Sequence, residues 1–398
     1  MRLLVADAFP EKLLATFAPL GFVVDYAPKL TAEQLPAAIG DAQVLIVRST
    51  KVKRPVFDAS KKLELVIRAG AGIDNIDVKA ASERGIYVAN CPGKNSVAVA
   101  ELTMGLMLAL DRRIADTTHD LRTSVWNKTT YAKADGIKGK TMGIVGFGAI
   151  GRLVAARANA FDLDVLIYNE PPILDEEAEE LGVTAVGSLA ELAEKSDIVS
   201  MHVPSLPGTQ GLCNAAFFAK MKPGAIFINT SRGSIHDEGA LVAAMKEKGI
   251  RVGLDVFANE PAAGAGEFSP EIATLPGFVG THHIGASTEQ AQNAIAAECV
   301  RICREFAATG LAPNVVNIER HSPAKLKLIV RHYDKVGVLA NVLGIVRNHK
   351  LNVEEMTNTI FEGARTAVAV VRLSEAPTDE VVEEIAALTD QVISVDVK

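Results

Sequence analysis

The chain has 398 residues, 48% of them hydrophobic, and a formal charge of −7. A single core rarely grows past roughly 250–300 residues, so two or three domains are expected. The acidic balance argues against nucleic acid or an anionic membrane as a main partner, and no apolar run reaches the ~18 residues of a membrane span.

The first residues, RLLVADA, run straight into a strand-like pattern. No signal peptide is therefore expected, and the expected location is cytoplasmic. Short apolar runs at 3–6, 22–24, 44–47, 65–67 and 86–88 alternate with helical stretches. Runs of that length between turn signals suit strands buried on both faces. Helices between them make βαβ units and a mostly parallel sheet. Residues 95–112 read as one long helix, whose apolar stretch 97–110 is too short for a membrane and interrupted by Glu101. A second α/β unit follows, with strands near 141–145, 165–168, 198–203, 225–228, 252–254 and 278–279. A second long helix runs from about 287 to 308. The expected fold class is α/β with two Rossmann- or flavodoxin-like parallel-sheet lobes. Residues 1–95 and 287–315 form a discontinuous first lobe, and 96–286 form the second.

Residues 311–324 hold two prolines and two asparagines and read as a linker. Beyond them come a strand at 325–331, a helix at 335–349, strands at 353–360 and 366–373, a helix at 378–388 and a strand at 392–397. That order is βαββαβ, a small ferredoxin-like module over 324–398. Cys91, Cys213, Cys299 and Cys303 are scattered without a CxxC. This points to reduced thiols and to no metal site, although Cys299 and Cys303 share a helix face.

The string TMGIVGFGAIG at 141–151 places GxGxxG at Gly146, Gly148 and Gly151. It closes a strand and opens a helix expected over 149–161, the context that makes the motif specific. Gly146 permits the tight turn, Gly148 lets the backbone approach a pyrophosphate, and Gly151 lets the helix pack on the strand. The helix N-terminus then offers free N–H groups and a positive dipole end to the phosphates. The second strand ends at Tyr168-Asn169-Glu170, where a fold selective for NAD carries a partner for the adenosine ribose. Glu170 and Asn169 are both candidates. The following PPILDEE has no Arg or Lys for a 2′-phosphate, so NAD is favoured over NADP.

Three further motifs are NTSRG at 229–233, DVFANEP at 255–261 and THHIGAST at 281–288. Each follows an expected strand, so Arg232, Glu260 and His283 sit just past three carboxyl ends, the edge where open α/β sheets bind ligands. A guanidinium, a carboxylate and an imidazole together make a general-base site with an anion anchor. Adjacent histidines do not project toward one metal, so His282 is read as a local variation. The run RSTKVKR at 48–54 follows another strand and is either a solvated face or an anion site.

These strings, together with AGAGIDNID at 69–77, HVPSLPGTQGL at 202–212 and SRGSIHDEGAL at 231–241, resemble the D-isomer-specific 2-hydroxyacid dehydrogenases over nearly the whole chain. The resemblance is strongest to the branch that oxidises D-3-phosphoglycerate in serine synthesis. It implies that Arg232 binds the substrate carboxylate and polarises the C2 oxygen. His283 exchanges the C2 hydroxyl proton, and Glu260 bonds its other nitrogen. It implies cofactor contacts at Ala149, Ile150, Asn169, Val203, Pro204, Thr230, Asp255, Gly285 and Ala286, with Asp255 facing the nicotinamide carboxamide. Asn169 stands where the family usually has Asp. Ala71 and Gly72 would present backbone N–H groups to the substrate carboxylate, and Arg48 and Ser49 would hold a phosphate. Lys128 and Lys133 lie where a partner subunit is reached, and a homodimer or homotetramer is implied. The C-terminal module resembles an ACT domain, with His332, Asp334 and Asn352 at positions that bind serine in feedback-inhibited relatives. Alternative expectations on the same scaffold are a hydroxypyruvate or glyoxylate reductase, and an NAD-sensing scaffold like the dehydrogenase-related corepressors.

Overall fold

The computed structural model describes residues 1–261, 266–319 and 326–398. They fall into two compact units, Met1–Asn317 and Ile318–Lys398.

The first sheet of the larger unit contains β1 (Arg2–Val5), β2 (Val23–Tyr26), β3 (Val44–Val47), β4 (Leu65–Arg68) and β5 (Tyr87–Ala89). Its order is β2-β1-β3-β4-β5, and every pairing is parallel. All four residues of β3 are buried because both faces are covered. Val44 and Ile46 pack toward Ile295, Cys299 and Cys303 of the long helix Glu289–Thr309. Leu45 and Val47 pack toward Leu35, Val56 and Phe57 on the other face. Period-two burial thus distributes one apolar run between two cores.

The second sheet contains β6 (Thr141–Val145), β7 (Asp164–Tyr168), β8 (Thr184–Ala185), β9 (Ile198–Met201), β10 (Ile226–Asn229), β11 (Arg251–Leu254) and β12 (Phe278–Gly280). Its order, β12-β11-β10-β9-β6-β7-β8, reverses between β6 and β9. The carboxyl ends flanking that reversal are where a doubly wound sheet opens a crevice. The helix Ser96–Asp111 packs against β10, β11 and β12, with Met104, Leu106 and Leu110 in the core.

The smaller unit is a four-stranded antiparallel sheet of β13 (Leu326–Tyr333), β14 (Val353–Ile360), β15 (Thr366–Leu373) and β16 (Val392–Val397), in the order β14-β15-β13-β16. The helices Val338–Asn348 and Asp379–Ala386 cover one face through Val342, Ile345, Val381 and Ile385.

Several expectations change. The strand expected over 198–203 ends at Met201, because His202 and Val203 turn into the loop over the glycine motif. Strand β8 has only two residues and leaves no periodic signal. Helices at Ile114–Arg122 and Lys128–Tyr131 went unread, since both are short and exposed. The stretch read as a linker begins as structure: residues 314–317 bond along the edge of β5, with Val316 N–H donating to Val88 O. The remainder of that linker, 320–324, and the expected strand start at 325 lie outside the described residues.

Candidate active site

The glycine loop is built as its spacing requires. Gly146 has φ 91°, and a Cβ there would lie 2.7 Å from His202 O. A Cβ on Gly151 would lie 2.2 Å from Gly146 O, so the helix Ala149–Ala160 sits directly on the turn. Gly148 is different: a Cβ would meet nothing within 4 Å. Gly148 and Ala149 are exposed at the helix N-terminus, and Ile150 turns half-buried into the core. The first backbone bond of the helix comes from Arg152 N–H to Gly148 O, which leaves the preceding N–H groups pointing outward. That cradle fits a dinucleotide pyrophosphate.

At the end of β7 both ribose candidates are engaged within the protein. Asn169 Oδ1 accepts from Phe147 N–H at 2.7 Å, and its Nδ2 donates to Pro171 O at 2.7 Å. Glu170 accepts from the Tyr168 hydroxyl. Asn169 therefore ties the strand end to the glycine loop, a task its amide performs because it both accepts and donates. Arg152 lies over the Phe147 ring and is paired with Glu177 at 2.7 Å. Val203 and exposed Pro204 follow β9, while buried Thr230 bonds Thr103 at 3.1 Å.

The turn after β10 is organised by Asn229, which is fully buried. Its Oδ1 accepts from Ser231 N–H and Oγ, and its Nδ2 donates to Arg232 O at 2.9 Å and to His236 Nδ1 at 3.0 Å. The turn after β12 is organised by Asp255, 1% exposed. Its carboxylate accepts from Thr281 Oγ1, Ile284 N–H and Gly285 N–H at 2.6–2.8 Å. The carboxylate is buried and committed to the turn that carries His283. Gly285 is needed there, because a Cβ would crowd Asp255 Oδ2 at 2.9 Å. Ala286 is half-buried beside it.

On this frame, Glu260 Oε2 accepts from His283 Nδ1 at 2.7 Å, and Glu260 Oε1 accepts from Phe257 N–H at 3.0 Å. Burial pushes the Glu260 carboxyl up, but the bonds from His283 and Phe257 and the charge of Arg232 outweigh it and hold the group below its ordinary value. With Nδ1 held, the other ring nitrogen of His283 is the one free to exchange a proton. Arg232 faces the first sheet: its Nε donates to Asp74 at 3.0 Å, and a Cβ on Gly72 would lie 2.0 Å from its Nη2. The 71–74 loop and Arg232 are thus in direct contact.

The basic run does not act as a simple loop of cations. Asp7, after β1, accepts from the backbone N–H of Arg48, Ser49 and Thr50 at 2.6–3.0 Å and from Thr50 Oγ1 at 3.0 Å. The backbone N–H groups of 48–50 are thus taken up by a carboxylate, which leaves the side chains of Arg48 and Ser49 for an anion. Arg48 Nη2 donates to Ser287 Oγ at 3.3 Å.

Sequence reasoning missed Asp7 and also Arg68, the last residue of β4. Burial lowers the Arg68 guanidinium pKa, and the charges of Arg232 and Arg48 lower it further, with Asp74 opposing. Arg68 Nε has no hydrogen-bond partner among the described residues. Arg68 thus lies within electrostatic reach of both Arg48 and Arg232, and this surplus of positive charge, opposed by Asp74, favours an anion in the cleft. The missed signal was an arginine at a strand's carboxyl end, the same logic that found Arg232.

The effector triad is not assembled in one chain. His332 pairs across to Ala367, which pairs to Ile360, whereas Asn352 precedes Val353, paired with Leu373 at the Leu326 end. Asn352 therefore lies roughly 20 Å along the strands from His332, at ~3.3 Å per residue. His332 is also buried, with Nδ1 on Tyr333 O and Nε2 on Asn358. Asn352 donates to Glu354, and Asp334 N–H donates to Arg365 O at the His332 end.

No helix is long and apolar enough to cross a membrane among the described residues.

Known proteins place this geometry. Residues 104–285 match the sequence model of the D-isomer specific 2-hydroxyacid dehydrogenase NAD binding domain. A D-3-phosphoglycerate dehydrogenase of Methanocaldococcus jannaschii is 39% identical over 89% of this chain and 67% of its own length. A hydroxypyruvate reductase of Thermotoga maritima is 42% identical over 68% of this chain and 87% of its own. The rat D-3-phosphoglycerate dehydrogenase is 37% identical over 73% of this chain, which spans 54% of it. Among solved structures, a Thermus thermophilus protein has a TM-score of 0.71 at 32% identity, covering 79% of this chain and 100% of its own. The D-lactate dehydrogenase of Escherichia coli has a TM-score of 0.69 at 27% identity, covering 79% and 100%. The cofactor cradle and the similarity of sequence and fold lead to one assignment: the chain belongs to the D-isomer-specific 2-hydroxyacid dehydrogenases, NAD-dependent oxidoreductases.

Proposed function

We propose that the protein oxidises D-3-phosphoglycerate to 3-phosphohydroxypyruvate, the first step of serine biosynthesis. The observation that carries this is the Arg48, Arg68 and Arg232 cluster. A substrate bearing both a carboxylate and a phosphate matches a cleft with that surplus of guanidinium charge. Bound NAD supplies the hydride acceptor. Arg232 and the backbone of Ala71 and Gly72 orient the substrate carboxylate, and Arg232 polarises the C2 oxygen. His283 takes the C2 hydroxyl proton at Nε2, while Glu260 on Nδ1 stabilises the imidazolium that forms. In the opposite direction His283 returns the proton.

Residues 1–95 with 287–315 act as the substrate lobe and 96–286 as the cofactor lobe. NAD is favoured over NADP because Glu177 neutralises Arg152, the basic residue beside the loop. Subunits pair as a homodimer or homotetramer, with Lys128 and Lys133 near the contact. Trp126 is 80% exposed, with Ile114, Leu121 and Val125 also exposed on the same arm, and this apolar surface suits a second copy. Residues 324–398 act as an ACT-like regulatory module. Because His332 and Asn352 lie at opposite ends of its sheet, a serine site using both requires two copies.

A panel of phosphoglycerate, hydroxypyruvate, glyoxylate and D-lactate with NAD(H) and NADP(H) tests the reading. The highest kcat/KM is expected for phosphoglycerate or phosphohydroxypyruvate with the NAD couple. Preference for hydroxypyruvate or glyoxylate overturns it in favour of the reductase reading, which the similarity to the Thermotoga maritima protein supports. Binding of NAD without turnover of any acid points to the sensing scaffold. Inhibition by L-serine in the same assay tests the effector assignment.

A further inference from the structure

The loop against Arg232 is not self-supporting. Asn90 Nδ2 donates to Ala71 O at 2.6 Å, and Cys91 N–H donates to Gly70 O at 2.9 Å. Asn90 is in turn held from residue 314: Asn314 Nδ2 donates to Asn90 O at 3.2 Å and to Glu298 Oε1 at 2.7 Å. Asn314 has φ 58°, a left-handed conformation that asparagine tolerates better than most residues. Its neighbours continue the attachment. Val315 bridges Ala89, Val316 N–H donates to Val88 O at 2.8 Å, and Asn317 bonds both Val88 N–H and Ile86 O. Residues 314–317 therefore form a strap along the outer edge of β5.

Glu298 anchors the strap from the long helix. It is buried, bonded by Arg301 and Asn314, and within 3.3 Å of Lys94. The order of contacts is then Glu298, Asn314, Asn90, Ala71 and, through Gly72, Arg232. Each link is short and directional, so a shift at Asn314 reaches the anion anchor without any change at Arg232 itself.

We propose that Asn90 and Asn314 are positioning residues for substrate binding, and that the seating of the 314–317 strap sets the affinity of the 71–74 loop for the substrate carboxylate. This rests on the reading of that loop as the substrate loop. The strap is also the last segment of the larger unit before the chain runs on to the smaller one.

The test is steady-state kinetics on the full chain, with whichever 2-hydroxy acid the wild type turns over best. The substrate assignment can then fail on the wild-type panel without deciding this point. Asn314→Gly keeps the left-handed backbone and removes the amide. It should raise substrate KM about tenfold, as expected for a lost buried hydrogen bond, with kcat and the KM for NAD within about twofold. Asn90→Ala should do the same, and the double variant should be no worse than the poorer single one, because the two act in series. Amide exchange across residues 70–76 should quicken in Asn314→Gly, a measurement that stands even if Asn90→Ala does not fold. Unchanged substrate KM and exchange in a folded Asn314→Gly protein overturn the proposal, as do equal rises in the KM of substrate and NAD.

Discussion

Glu260 and His283 meet at 2.7 Å through Oε2 and Nδ1, on two turns that follow adjacent strands. His283 has φ 52°, a conformation costly for a non-glycine residue, held by its N–H on Asp255 O at 2.8 Å. Its neighbour His282 is exposed and makes no hydrogen bond or ion pair with Glu260. His283→Gln should lower kcat by roughly 10²–10⁴, the range of a lost general acid–base. Glu260→Gln should cost less, and His282→Ala about twofold or nothing. A His282→Ala protein as inactive as His283→Gln overturns the assignment.

Gly148 and Gly151 should separate cofactor binding from folding. A Cβ at Gly148 meets nothing in the free protein, whereas one at Gly151 strikes the backbone of Gly146. Gly148→Ala should melt like the wild type and lose NAD affinity, measured by fluorescence titration, because the added methyl occupies the pyrophosphate approach. Gly151→Ala should lose roughly 1–3 kcal/mol of stability. A Gly148→Ala protein that binds NAD normally removes the loop from the phosphate site.

Arg48 and Arg68 should discriminate by charge on the substrate. Arg48→Ala should raise the KM for phosphoglycerate roughly tenfold or more, the worth of a hydrogen bond between charged groups, and raise that for hydroxypyruvate far less. Arg68→Ala should behave alike, since both guanidiniums act on the same cleft. Equal effects on the two acids remove the phosphate from this pocket.

Asp7 accepts four bonds from residues 48–50. Asp7→Ala strands three buried or half-buried donors and should cost roughly 1–3 kcal/mol in chemical denaturation. The same substitution should raise the KM for the phosphorylated substrate by loosening Arg48. Wild-type stability and KM together contradict this account.

His236 should make the protein less stable in acid. Burial pushes its imidazole down to about 4, against the charge of Asp237, while its Nδ1 accepts from Asn229. An unfolded histidine takes up its proton near pH 6.5. The stability held by neutral His236 is therefore complete above about pH 6.5 and falls as pH drops toward 4, by at most about 1.4 kcal/mol per pH unit. His236→Gln should flatten the decline of the urea midpoint between pH 7 and 5. His202, which burial pushes down to about 3, keeps a second such contribution in place. An unchanged slope in the variant shows that His236 is not the group that titrates.

Element order was legible because it is local. β3 is a run of four apolar residues, the glycine spacing reports a turn whose geometry only glycine allows, and β15 alternates buried and half-buried residues without a break. The same locality made Arg232, Glu260 and His283 visible, since each follows its strand within a few residues. The partners of Asp255 and of the three effector candidates were not legible for one reason: a motif position names a residue type but not its partners. The Asp255 carboxylate is spent on a turn 26 to 30 residues away in sequence.

What the sequence by itself determined is the chemistry available: a dinucleotide loop, a base with its carboxylate, and arginines at strand ends. Strand periodicity and turn residues encode these within a few positions. Only the tertiary structure decided which charges act on one another, because Arg68 comes under the charges of Arg48 and Arg232, and Asn314 reaches Ala71 through Asn90, across separations that no local pattern records. Parallel sheets bring the carboxyl ends of distant strands to one edge, and at that edge the electrostatics of the cleft is set by packing.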